Sequence, residues 1–270
     1  MNDVPISGIV KALSQWPEVL AIAEGGSRAS GNFDADSDID LYVYVRQEIP
    51  AARRAAFVLP RSDDAELDNR IWETGDEWTD REAGFVVDVM YRSPSWIETE
   101  LTKILDDYQA SLGYTTCFWY NLLMSRSLFD RDGWYATLKK KASRDYPQML
   151  VKAIVQKNFP LLRSKHGAFS KQILKAARRR DIVSVNHRIA GFLASYFDVL
   201  FAINRKPHPG EKRLLSLAVQ LAIRPEGLTE QIEQLLSYSV LCDERKLGFI
   251  LDRLVDGVAP LVAPYEALGG

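Results

Sequence analysis

The stretch that decides the fold is GGSRASGNFDADSDIDL, residues 25–41. It follows the short apolar run VLAIA at 19–23, which is typical of a buried strand. It ends in the β-branched and aromatic run IDLYVYV at 39–45, which predicts a second strand. Between the strands, Gly26 and Ser27 predict a tight turn that can expose backbone N–H groups to an anion, because glycine allows both tight turning and close approach.

Three carboxylates follow this turn. Asp38 and Asp40 lie two residues apart at the start of a predicted strand, so both side chains point to the same face. Two adjacent carboxylates repel each other, and oxygen-only ligation of a compensating cation favours Mg²⁺ or Mn²⁺. Asp88 interrupts the apolar strand predicted at 85–91, where a charge is costly unless it is paired or binds metal. If the two strands are neighbours, the carboxylates converge at a site suited to metal-assisted nucleotidyl transfer.

The rest of the chain predicts an α/β part followed by a helical part. The segment between Pro50 and Pro60 is compatible with a helix, whereas 63–84 is acidic and has no long regular period. Beyond Pro94 the apolar positions follow the helical period, most clearly over 182–203.

We therefore predict two domains. Residues 1–112 form an α+β catalytic domain, a small mixed sheet with flanking helices, and residues 113–270 form an α-helical bundle domain. No apolar run is long enough to cross a bilayer and no leader pattern opens the chain, so we expect a cytoplasmic protein without a membrane partner. Two cysteines and three histidines are too few for a disulfide framework or a zinc site, which again favours a hard metal held by carboxylates.

The formal net charge of -2 conceals a segregation of charge along the chain. Residues 31–110 contain 19 acidic and 8 basic residues, whereas residues 139–180 contain 13 basic residues and one acidic residue. The acidic part favours metal cations, and the basic part could hold an anionic ligand. Two solvated faces are the alternative interpretation.

The pattern resembles the polymerase-β-like nucleotidyltransferase superfamily, whose motif is a Gly-Ser turn, an Asp-x-Asp pair and a third acid on a following strand. The two-part architecture is similar to that of bacterial aminoglycoside and lincosamide nucleotidyltransferases. The resemblance implies that Asp38 and Asp40 hold the metals and that Gly26 and Ser27 hold the triphosphate. It also implies that Asp88 is either a metal ligand or the base for the acceptor hydroxyl.

Two basic residues are further candidates for phosphate contact. Arg28 directly follows the turn, and a salt bridge to the acidic segment is the alternative role. Lys212 lies in a segment that resembles the turn after the long helix of such two-domain enzymes, where a lysine reaches back to the nucleotide phosphates. Its charge would add to that of a helix N-terminus, and an ordinary solvated lysine is the alternative.

The sequence thus predicts a metal-dependent nucleotidyltransferase. It moves a nucleoside monophosphate, preferably AMP from ATP, to a hydroxyl of a small acceptor and releases pyrophosphate. The resemblance makes an antibiotic one such acceptor. A protein or tRNA acceptor and a non-catalytic nucleotide-binding module stay open as alternatives, and the basic residues at 139–180 motivate the tRNA version. The sequence makes no prediction of oligomeric state.

Overall fold

The computed structural model describes residues 4–26, 38–71, 73–82 and 84–266. The strands are β1 (Val19–Glu24), β2 (Ile39–Val45), β3 (Ala65–Asn69), β4 (Gly75–Thr79), β5 (Val86–Arg92) and β6 (Arg126–Asp130). The helices are α1 (Val4–Ser14), α2 (Ala51–Val58), α3 (Pro94–Leu105), α4 (Cys117–Met124), α5 (Trp134–Ala142), α6 (Gln148–Leu162), α7 (Phe169–Arg178), α8 (Ile182–Ile203), α9 (Leu214–Ala218), α10 (Leu228–Leu241) and α11 (Glu244–Glu266). A short 3₁₀ helix follows α2 at Leu59–Arg61.

The chain divides into two compact units. The first comprises Met1–Thr102 and Phe118–Arg144, and the second comprises Lys103–Cys117 and Asp145–Gly270. The predicted division between residues 112 and 113 stays a prediction, and β6 lies on its C-terminal side.

The described strands form one mixed sheet in the order β3-β4-β5-β2-β1-β6. Strands β2 and β5 are parallel, and the other neighbouring strands are antiparallel. The predicted α+β architecture, a small mixed sheet with flanking helices followed by a helical region, is confirmed.

One face of the central strands is apolar and packs into the core of the first unit. Ile39 and Leu41 on β2 and Val87 and Val89 on β5 are fully buried together with Leu13 of α1. Burying each of these side chains stabilises the fold by roughly 1.5–3 kcal/mol. Because side chains alternate along a strand, the residues between them point to the opposite face, where the carboxylates lie.

The acidic segment without an apolar period forms the hairpin of β3 and β4, because a buried arginine compensates its charges. Arg54 of α2 is 1% exposed and makes ion pairs with Asp68 and Asp76. The Arg54 Nε atom also donates to the carbonyl oxygen of Ile49 at 3.1 Å. Asp76 can therefore occupy a buried position of β4 that an apolar residue would otherwise take.

The second unit is built around α8, whose bounds match the helical period predicted for 182–203. Asp181 caps this helix by accepting the N–H of Ser184 at 3.0 Å. Ile189, Phe192 and Leu200 are buried along its length, and α6 and α7 pack against it. None of the helices in the described ranges is long and apolar enough to span a membrane.

A buried carboxylate interrupts the apolar surface of α8. Asp198 is 1% exposed and accepts hydrogen bonds from the main-chain N–H and the hydroxyl of Thr115, at 3.1 and 2.6 Å. It also accepts a longer bond from Asn158 Nδ2 at 3.3 Å. Burial raises the pKa of Asp198 to about 7, and the hydrogen bonds from Thr115 offset only part of that increase.

This carboxylate gives the fold a pH dependence of stability with a defined sign. Because the folded pKa lies above the unfolded value of about 3.9, the folded protein binds more protons, and Asp198 destabilises it as pH rises from about 4 to about 7. His208 acts in the opposite sense, since burial lowers its pKa to about 4 and stability is lost below pH ~6.5.

We expect the free energy of unfolding of the wild type, relative to Asp198→Asn, to fall by about 2 kcal/mol between pH ~5 and ~7. Urea denaturation at each pH measures this difference, and a constant difference would contradict the raised pKa.

Candidate active site

The turn after β1 lies directly against β2. The main-chain N–H of Gly25 donates to the carbonyl oxygen of Asp40 at 2.9 Å. A Cβ atom on Gly25 would overlap the ring of Tyr42, and one on Gly26 would overlap the Oδ2 atom of Asp40. Gly26 also has a φ of +64°, a conformation that favours glycine. The two glycines therefore let the turn approach the carboxylate closely.

The parallel pairing of β2 and β5 places two of the predicted carboxylates side by side. Asp40 lies in register with Asp88, on strands that are about 4.8 Å apart. Asp38 is exposed and immediately precedes β2. Burial is the largest effect that raises the pKa of Asp88, which lies at about 6. The nearby carboxylates of Asp40, Glu77 and Asp38 raise it further. The site thus concentrates negative charge that a cation would neutralise.

The carboxylates of β2 and β5 belong to a longer series, which we call the acidic row. It crosses four strands in register and consists of Asp40, Asp88, Glu77 and Glu66. Each of these carboxylates has an apolar neighbour on its own strand. The apolar neighbours pair with one another in a second row that faces the core: Ile39, Val87, Trp78 and Ala65. Like charges directly opposite each other destabilise a sheet, so the acidic row points to a function that uses the charge.

The chemistry of Asp40 and Asp88 fits a divalent cation. Within the described ranges, no group of three or more His, Cys, Asp or Glu residues is arranged to hold a metal by itself. Mg²⁺ usually binds one or two carboxylates together with phosphate oxygens of the substrate and water, so a carboxylate pair beside a turn predicted to hold phosphates suits it. Metal binding by Asp38, Asp40 and Asp88 stays a prediction.

The other residues predicted to contact phosphate are Ser27, Arg28 and Lys212. Ser27 and Arg28 lie outside the described residues. Lys212 is exposed in the turn before α9, in the second unit, and its contact with phosphates stays a prediction.

Reasoning from the sequence missed Arg92, a buried cation on the same face as the carboxylates. It is 7% exposed, and its guanidinium carbon lies 3.9 Å from the ring centroid of Tyr42 and 5.3 Å from that of Trp96. Its Nε and Nη2 atoms donate to the two carboxylate oxygens of Glu73 at 2.6 and 2.7 Å. The signal that could have found Arg92 is its spacing of four from Asp88, which puts both on one face of a strand.

Several basic side chains of the segment 139–180 make ion pairs or hydrogen bonds within the fold. Arg163 makes ion pairs with two aspartates of α11, at 3.0 and 2.6 Å, and Arg178 makes one with Glu244 at 2.7 Å. Lys139 donates to a main-chain carbonyl, and burial lowers its pKa. The charge of this segment is therefore less available to an anionic ligand than the sequence count indicates.

Comparison with known proteins agrees with this geometry. Residues 6–110 match the sequence model of the nucleotidyltransferase domain family, and this range includes the turn and the three carboxylates. The chain therefore contains a nucleotidyltransferase domain of the polymerase-β-like kind, and the predicted class of enzyme is confirmed. Enzymes with this domain generally use a nucleoside triphosphate and a divalent metal.

Among solved structures, the chain is similar to a nucleotidyltransferase-like protein from Exiguobacterium sibiricum. The two share 14% sequence identity, and the match covers 96% of this chain and 76% of that chain with a TM-score of 0.47. No curated protein matches the sequence significantly.

Proposed function

We propose that this nucleotidyltransferase transfers a nucleoside monophosphate, AMP from ATP, to a hydroxyl of a small cationic acceptor in the presence of Mg²⁺. The observation that carries the proposal is the register of Asp40 with Asp88 beside the turn at Gly26. In the reaction the acceptor oxygen bonds to the α-phosphorus while the bond from that phosphorus to the α,β-bridging oxygen breaks. The bridging oxygen keeps the electron pair and leaves with pyrophosphate, and the hydroxyl proton passes to a base.

Each residue of the site has a separate proposed role in this reaction. Asp38 and Asp40 would hold the metal, and Ser27 with the turn at Gly26 would orient the β and γ phosphates. Mg²⁺ or Mn²⁺ bound there supplies positive charge that offsets the charge of the phosphates. Asp88, with a pKa of about 6, is mostly ionised at neutral pH. It accepts the hydroxyl proton or completes the metal site.

The acidic row favours a cationic acceptor over an anionic one. Glu77 and Glu66 are exposed and continue the row away from Asp40, on the far side of Asp88. A positively charged group next to the reacting hydroxyl would be attracted there, whereas the phosphates of a tRNA would be repelled. A positively charged antibiotic is one acceptor of this class.

Pyrophosphate release tests the proposal directly. The protein is incubated with labelled ATP, Mg²⁺ and hydroxyl acceptors of similar size that are cationic, neutral or anionic, and with tRNA in parallel. We expect release with the cationic acceptor and no steep dependence on salt, whereas a tRNA acceptor would show a steep counterion-release slope. Transfer to tRNA alone would overturn the acceptor assignment. Nucleotide binding without pyrophosphate from any acceptor would favour the non-catalytic module.

Glu77→Gln tests the contribution of the acidic row to acceptor binding. We expect the KM for a cationic acceptor to rise about five-fold, since a partly solvated ion pair contributes up to about 1 kcal/mol, while the KM for ATP stays unchanged. Steady-state kinetics with each substrate varied in turn measures both values. Glu82→Gln is the matched control, because Glu82 is an exposed glutamate in the turn between β4 and β5. The same acceptor KM in both variants would contradict the role of Glu77.

A further inference from the structure

We infer that Tyr42 is a positioning residue that anchors the turn at Gly25 and Gly26, and that Arg92 and Glu73 hold its ring in place. The inference rests on the proposed function, since it assigns this turn to the triphosphate. It adds a determinant of nucleotide affinity that touches neither the acceptor nor the reacting phosphorus.

Tyr42 contacts both glycines of the turn. Burial raises the pKa of the Tyr42 hydroxyl, and a hydrogen bond from the main-chain N–H of Gly26 is among the effects that oppose this rise. The ring of Tyr42 fills the space that a side chain on Gly25 would need. Tyr42 is 6% exposed and lies two residues after Asp40, so the same strand carries the carboxylate and the anchor of the turn.

The ring of Tyr42 is itself held by a partly buried ion pair. The guanidinium of Arg92 lies over the ring at 3.9 Å and is fixed by two hydrogen bonds to Glu73. A planar guanidinium can stack on an aromatic ring and bind a carboxylate with two parallel bonds at the same time, which a lysine cannot do. The contacts Glu73 to Arg92 to Tyr42 to Gly26 therefore form one continuous support under the turn.

This support has a direct consequence for binding of the nucleotide. A turn that is already ordered loses less conformational freedom when it binds a triphosphate, so its affinity is higher than that of a loose turn. Loss of the hydroxyl should thus weaken nucleotide binding and leave the chemical step nearly unchanged.

Tyr42→Phe and Tyr44→Phe form a matched pair of variants. Tyr44 lies two residues further along β2, is 1% exposed and hydrogen-bonds Arg92, but it pairs across the sheet with Ala21 and not with the turn. We expect Tyr42→Phe to raise the KM for ATP about ten-fold with kcat changed less than about two-fold. We expect Tyr44→Phe to leave both constants close to those of the wild type, with similar melting temperatures for the two variants.

Two outcomes would overturn the inference: equal KM values for ATP in the two variants, or a fall in kcat at constant KM in Tyr42→Phe. Calorimetric binding of a non-hydrolysable ATP analogue with Mg²⁺ separates this inference from the proposed function. If the wild type releases no pyrophosphate but Tyr42→Phe still raises the Kd about ten-fold over Tyr44→Phe, the proposed function fails and the anchoring role stands. If the wild type is active and the Kd values are equal, the anchoring role fails alone.

Discussion

Asp40→Asn is expected to lower kcat/KM for nucleotidyl transfer by about 10³-fold or more. The substitution removes a carboxylate that lies in register with Asp88 and against the turn at Gly26, where the proposed function brings a cation to the phosphates. Loss of electrostatic stabilisation of this kind costs about 4 kcal/mol in the transition state, which corresponds to a factor of about 10³. Initial rates of pyrophosphate release at saturating and limiting ATP measure the effect.

The same substitution should not weaken the fold. Like charges in register on neighbouring strands repel each other, so the free energy of unfolding of Asp40→Asn should equal or exceed that of the wild type. Urea denaturation in the absence of metal tests this. Glu66→Gln is the control, since Glu66 lies in the same acidic row but three strands from Asp40, and we expect its kcat to change less than about two-fold. An active Asp40→Asn enzyme would contradict the proposed site.

The strands on either side of the turn could be predicted because their residue types favour β-strands. The run at 39–45 is β-branched and aromatic and forms β2 with the same bounds. The hairpin of β3 and β4 could not be predicted from periodicity, since Asp76 occupies a buried position that is tolerated only because Arg54 pairs with it. Strand β6 was also missed, because its short sequence RSLFD shows no clear alternation and its partner β1 is distant in the chain.

The candidate site shows the same limit of sequence reasoning. The residue types Asp40 and Asp88 predict a metal site only if their strands are neighbours, and the sequence alone cannot establish that pairing. The extension of the acidic row through Glu77 depends on the register of a hairpin whose strands the sequence did not reveal. Arg92 looks like an ordinary strand end until the structure shows it buried between Glu73 and Tyr42.

Gly26→Ala is expected to reduce nucleotidyl transfer by about 10²-fold, although it adds a single methyl group. The new Cβ atom would overlap Oδ2 of Asp40, so either the carboxylate rotates away or the turn shifts. A displacement of about 1 Å at reacting groups is enough to cost roughly 10²-fold in rate. The positive φ of +64° adds about 1–2 kcal/mol of backbone strain for any residue with a Cβ.

Gly133→Ala separates strain from the overlap with Asp40. Gly133 has a φ of +71°, but a Cβ atom added there would meet no described atom within 4 Å, so its alanine variant carries the backbone strain alone. We expect Gly133→Ala to lose about 1–2 kcal/mol of stability, Gly26→Ala to lose at least as much, and only Gly26→Ala to lose activity. Chemical denaturation and pyrophosphate release, measured on the same preparations, provide the two readouts. Equal activity in the two variants would mean that close approach of the turn to Asp40 is not required for transfer, because the overlap is what distinguishes them at comparable strain.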